Sequence, residues 1–164
     1  MKKLAYILII SLAALTVAGI VIGSVVLNKQ DGFEKDITLS EDGVTQEEMS
    51  INLEGIYPGK SVEYTIHFGG NAASIYDLEL TFTPSENVAL AQYMDVELDV
   101  SGETVSSGLL SEYLGGEAVA LDLEIGEGGE STFVLRYTMP ETVGNEAMNL
   151  TADFTINITA TSKE

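Results

Sequence analysis

Through most of this chain apolar residues occupy every second position, and no other feature limits its fold so tightly. Val62, Tyr64, Ile66 and Phe68 alternate with Glu63, Thr65 and His67. Such alternation marks a strand with one face buried and the other wet. It returns at Leu78, Leu80 and Phe82, at Val96, Leu98 and Val100, and at Leu121, Leu123 and Ile125. Late in the chain it is clearest: Phe133, Leu135, Tyr137 and Met139 make one run, and Phe154, Ile156, Ile158 and Ala160 make another. Segments 37–40, 49–53 and 104–107 carry it more weakly.

Turn residues separate these runs at short intervals: Glu41-Asp42-Gly43, Pro58-Gly59-Lys60, Gly69-Gly70-Asn71, Ser101-Gly102, the glycine-rich stretch 126–129 and Gly144-Asn145. Glycine reaches positive φ and proline presets a turn, so strands end at these places. About eight or nine short strands punctuated in this way predict an all-β fold, an antiparallel β-sandwich. Segments 87–95 and 108–116 are the expected helical or irregular exceptions, the second with Leu109, Leu110, Tyr113 and Leu114 at near-helical spacing. No internal repeat or second domain interrupts the pattern.

Ahead of the alternating region, residues 4–27 carry no charge and follow Lys2 and Lys3. As a helix they would reach about 36 Å, enough for a hydrocarbon core of about 30 Å. Leu4, Ile10, Leu15, Ile20 and Leu27 would then meet lipid. The lysines on the short N-terminal side put Met1 in the cytoplasm and the rest outside. A cleavable signal peptide has the same beginning but a shorter apolar run that ends at a small-residue site. Thr16-Val17-Ala18 and Val21-Ile22-Gly23 offer small residues, so transmembrane anchor and signal helix both stay open. Gly19 and Gly23 stand at helix-dimerisation spacing, a spacing that chance also produces. The chain thus divides into an anchor or signal segment at 1–27, a polar linker at 28–35 and a sandwich domain at 36–164.

After Lys29, four basic residues stand against 26 acidic ones, leaving a net charge of −22. A field of that sign repels nucleic acid and anionic lipid, which excludes nucleic-acid binding. With no cysteine in the chain, an oxidising compartment cannot add cross-links, and stability has to come from core burial.

Three stretches carry a family resemblance. Ile56-Tyr57-Pro58-Gly59-Lys60-Ser61, followed by an aromatic strand, a Gly/Asn turn and Tyr76 to Phe82, resembles the Pro-Gly block and paired strands of the TasA/camelysin family of bacterial and archaeal surface proteins. Met94 to Glu103 resembles that family's central strand. Tyr137-Thr138-Met139-Pro140-Glu141-Thr142-Val143-Gly144-Asn145-Glu146, running into a strand that ends at Thr161, is similar to its last two strands and their turn. The resemblance implies a jelly-roll sandwich in a surface or biofilm-matrix protein. It further implies partners of the chain's own kind, joined when the N-terminal segment of one subunit completes a sheet of the next. The matching donor strand here is Asp36, Ile37, Thr38, Leu39 and Ser40, and the closing strand 154–161 is the expected receiving edge. Where fibre subunits of the family carry an aromatic, alanine-containing cleavage region, this chain has Gly23-Ser24-Val25-Val26-Leu27, which equally suits a membrane-tethered relative.

Camelysin-type proteins have been classed as metallopeptidases, and the residues here do not fit that chemistry. A zinc hydrolase needs three ligands, usually including two histidines of an HExxH helix, and this chain has one histidine, His67, in an alternating strand. No G-x-S-x-G elbow and no phosphate-binding glycine loop occurs. Glu97 with Asp99, and Asp122 with Glu124, are spaced like any wet strand face. The expectation is a non-enzyme with no required cofactor and at most weak Ca²⁺ binding at loop acids such as Glu41, Asp42, Glu127 and Glu130. A tethered binding module for wall glycan or calcium is the alternative, favoured if Tyr76, Tyr93 or Tyr113 lines a cleft. Asn149 and Asn157 sit in N-x-[ST] acceptor patterns.

Overall fold

A computed structural model describes residues 20–27 (backbone only), 32–41, 43–71, 74–126 and 129–163. It contains ten strands in two five-stranded sheets. In chain order these are β1 (Ile20–Leu27), β2 (Phe33–Thr38), β3 (Val44–Leu53), β4 (Ser61–Gly69), β5 (Ile75–Pro84), β6 (Asp95–Val100), β7 (Glu103–Leu109), β8 (Val119–Glu124), β9 (Glu130–Thr138) and β10 (Ala152–Lys163). One helical turn, α1 (Leu110–Tyr113), and short 3-10 turns at Ala89–Tyr93 and Asn145–Ala147 fill the connections. The first two fall in the segments expected to break the strand pattern.

One sheet has the order β1-β3-β10-β5-β8 and the other β2-β4-β9-β6-β7. From β3 onward the antiparallel pairs are nested: β3 with β10, β4 with β9, β5 with β8 and β6 with β7. A long double-stranded ribbon has been folded across itself to make two layers. Its tip is the two-residue turn Ser101-Gly102, whose φ values of 50° and 88° are both positive. That combination twists a hairpin in the direction its strands require.

The alternation read from sequence is the core. Val62, Tyr64, Ile66 and Phe68 on β4, Phe133, Leu135 and Tyr137 on β9, and Phe154, Ile156, Ile158 and Ala160 on β10 are all buried. Aromatic rings pack within each layer, and Tyr137 and Phe154 join the two. Tyr64 meets Tyr137 edge-on at 5.7 Å, Tyr137 meets Phe154 at 5.8 Å, and Phe82 lies 6.3 Å from Phe154 and 5.4 Å from Tyr113 of α1. Edge-to-face pairs of this kind add to the stabilisation from burial itself.

Cations sit centrally on the wet faces. Arg136 of β9 bonds Glu63 across β4 at 3.0 Å and Glu97 across β6 at 2.7 Å, with Asp99 at 3.6 Å. Those carboxylates hold its guanidinium pKa above the usual value, against a small opposing effect of burial. Lys163 does the same on the other sheet, between Asp122 and Asp77 at 2.5 and 2.8 Å, two acids that stand directly opposite each other on β8 and β5.

Of the helix expected over 1–27, residues 1–19 lie outside the described residues. Residues 20–27 are a strand that pairs in parallel with β3. Ile20, Val21, Ile22, Val25 and Val26 are β-branched and suit a strand as well as an apolar helix, so their composition does not choose. Leu4, Ile10 and Leu15 lie outside the described residues. Among the described residues, no helix is long and apolar enough to cross a membrane.

Candidate functional site at the sheet edges

A β-sheet can accept another strand only where backbone N–H and C=O groups are unpaired, so its edges are its binding sites. The nested order gives this sandwich two sides. On one, β3 and β4 would be the outermost strands, but the N-terminal chain covers both, β1 on β3 and β2 on β4, each in parallel. On the other, β7 pairs only with β6 and β8 only with β5, so both end their sheets.

The expected donor strand is thus seated on its own domain. Asp36, Ile37 and Thr38 belong to β2, opposite His67, Phe68 and Gly69 of β4. Ile37 and Leu39 are buried. The Leu39 amide donates to the Gly69 carbonyl at 2.7 Å and the Ser40 amide to Thr45 Oγ1 at 2.9 Å. β2 also begins earlier than the pattern suggested, at Phe33. Just ahead of it, Gly32 has φ of +93° and lies so close to the Glu63 carbonyl that a Cβ there would strike that oxygen. Only glycine satisfies both conditions.

Lys35 of β2 ties the two sheets together. Its Nζ lies 2.5 Å from Glu47 Oε2 of β3, with the side chains only 10% and 12% exposed. Inward-pointing charges at an edge discourage foreign strands unless they are matched. No short motif in the sequence marks this pair. Its only signal is a charge in the buried register of β3, between Thr45 and Met49.

The closing strand is not the receiving edge expected of it. β10 is paired along its length by β3 on one flank and β5 on the other, because a nested ribbon buries its last strand in mid-sheet. Each sheet ends instead in an N-terminal strand on one side, β1 or β2, and in β8 or β7 on the other. Between β7 and β8 opens a groove of about 480 Å³ lined by residues that include Val105, Leu121, Glu103, Asp122, Glu124 and Glu130. β7 reads Glu-Thr-Val-Ser-Ser-Gly-Leu, with no lysine or proline and one charge. Its Val105 and Leu109 are among the most exposed large apolar side chains. A register shift where β6 pairs with it, at Leu98 and Asp99, bends the edge locally.

The other singled-out residues fall apart from one another. His67 is half-buried on the outer face of β4, its Nδ1 3.5 Å from Thr132 Oγ1. Among the described residues, no three His, Asp or Glu side chains are grouped as metal ligands would be. Tyr76 is wholly buried, while Tyr93 and Tyr113 are half-buried, the Tyr113 hydroxyl bonded to Ser106 at 2.7 Å. Asn149 is exposed, while Asn157 lies on the outer face of β10, bonded to Thr83 Oγ1 at 3.2 Å.

No protein-family model matches this chain, and no curated protein sequence does. Among solved structures, the chain is similar to a periplasmic inhibitor of g-type lysozyme from Aeromonas hydrophila, with 8% identity, 79% of this chain and 98% of that chain covered, and a TM-score of 0.39. It is similar to the pre-peptidase C-terminal domain of a Bacillus anthracis collagenase, with 12% identity, coverage of 81% and 99%, and a TM-score of 0.36. It is also similar to the CUB1-EGF-CUB2 domains of rat MASP-1, with 15% identity, coverage of 84% and 42%, and a TM-score of 0.35.

Proposed function

We propose that this chain is a non-enzymatic cell-surface or extracellular-matrix structural protein of the TasA/camelysin type, held to the membrane by its N-terminal segment or released from it, and joined to its own kind by strand addition. The observation that carries the reading is the asymmetry of the edges. One side of the sandwich ends in two N-terminal strands, β1 and β2, each joined in parallel, and the other in β7 and β8, each joined antiparallel. A head-to-tail contact between unlike edges propagates into an open filament wherever its rotation does not close a ring. The nested pairing of β3 to β10 supports the jelly-roll reading. The alternative is a membrane-tethered binding module for wall glycan or calcium; of the three tyrosines that would favour it, Tyr76 lies in the core.

Val105→Lys combined with Ser107→Lys charges the flank of β7 without touching the core. Light scattering and electron microscopy of the native chain over a concentration series should show assemblies that grow with concentration. The double variant should lower their amount roughly tenfold, as edge lysines do in natural sheets. A native chain that stays monomeric at every concentration, or assemblies indifferent to the double variant, would count against strand addition at β7.

A further inference from the structure

Eight residues of the N-terminal segment have two claims on them. Residues 4–27 suit a bilayer, yet Ile20–Leu27 pair with β3 in register from Ile20 opposite Val44 to Leu27 opposite Ile51. The match is partial, since Ile22 and Val26 stand opposite the polar Gln46 and Ser50, and it is best along the row that continues the core. Val25 and Leu27 stand opposite Met49 and Ile51, and Val21 opposite Thr45, while the acids Glu47 and Glu48 stand opposite Gly23 and Ser24. Gly23 has no side chain to occupy the space beside Glu47, where Lys35 makes its ion pair. An apolar stretch laid on β3 by chance has no reason to place its two smallest residues against the two carboxylates.

The two claims exclude each other by length. With Ile20–Leu27 on β3, the uncharged run that remains is residues 4–19, which as a helix would reach only about 24 Å, short of the roughly 30 Å hydrocarbon core. We propose that Ile20–Leu27 has two mutually exclusive seats, the bilayer and the outer flank of β3, so that anchoring the chain uncovers β3 and leaving the membrane closes it. This rests on the membrane-anchor reading. It makes β3 a sheet end, open to strand addition, only in the anchored form, and its covering segment is the chain's own.

The absence of cysteine makes the test clean. Ser24 and Glu48 are direct partners in the register, so Ser24→Cys with Glu48→Cys reports the β3 seat by disulfide formation under mild oxidation. The full chain is reconstituted into phosphatidylcholine vesicles, floated on a density gradient and oxidised. In parallel, the same chain with Leu12→Glu and Leu15→Glu, which cannot insert, is oxidised in buffer. The expected result is flotation of the first, with a cross-linked fraction roughly tenfold below that of the second. Adding Gly23→Leu should abolish cross-linking in buffer without affecting flotation. A chain that floats and cross-links as fully as the soluble one overturns the exclusivity while leaving the anchor intact. Failure of the soluble chain to cross-link overturns the β3 seat. A native chain that does not float removes the bilayer seat, and the anchor reading with it.

Discussion

Three tyrosines in the core, Tyr64, Tyr76 and Tyr137, have buried hydroxyls with no protein hydrogen-bond partner. Alternation identified Tyr64 and Tyr137, because tyrosine serves as a large apolar residue in a period-two run, whereas Tyr76 was expected at a cleft under the binding-module alternative and is buried instead. Alternation is also silent on where a hydroxyl finds a partner. Burial pushes the Tyr64 pKa up to about 12, and burial together with neighbouring Tyr64 pushes Tyr137 well above its ordinary value. Between pH 10 and 12 the unfolded chain has therefore released tyrosine protons that the folded chain keeps. The stabilisation is complete below pH 10 and declines as pH rises through that window, by about 1.4 kcal/mol per pH unit for each such tyrosine. Tyr137→Phe should raise stability at pH 7 by about 1 kcal/mol, since it removes a buried hydroxyl without opening a cavity. It should also make the alkaline decline shallower. Urea midpoints measured at pH 7 and at pH 10.5 check both effects.

At the scale of the element, β2 decides how firmly the N-terminal side is closed. Lys35→Met leaves Glu47 without its partner in a site that is nearly dry, and should cost about 2–3 kcal/mol, somewhat less than the loss of a fully buried pair. Hydrogen exchange should show the loss first in β2, since Ile37 and Leu39 are its only fully buried apolar anchors. A loss spread evenly over β9 and β10 would mean that the pair supports the whole sandwich instead. The strands with full alternation, β4, β9 and β10, were legible because both of their faces report: one is buried in the core and the other meets water. β2, β3 and β7 read faintly because edge and near-edge strands have less to bury, and Glu47 interrupts the inward row of β3. β1 was legible only as apolar. A bilayer and a sheet edge select the same β-branched residues, and no local pattern separates the two.

For the whole molecule, the surface is an acid field with a few fixed cations. Arg136 and Lys163 are committed to acids on neighbouring strands, so the remaining carboxylates repel one another. Raising NaCl from about 0.05 to 0.5 M shortens the Debye length from roughly 14 Å to 4 Å, and should raise Tm by several degrees despite weakening the surface pairs. A fall in Tm over that range would mean that the pairs outweigh the repulsion. The order of the strands also settles which way the domain stands. β2 enters beside Glu63, next to the Tyr57–Lys60 turn, whereas Lys163 closes β10 at the opposite end, the last of the twelve residues that begin at Ala152. Twelve extended residues cover about 40 Å. Under the proposed anchoring the sandwich would be a mast, with the Tyr57 turn at its foot and the Lys163 end of β10 at its top.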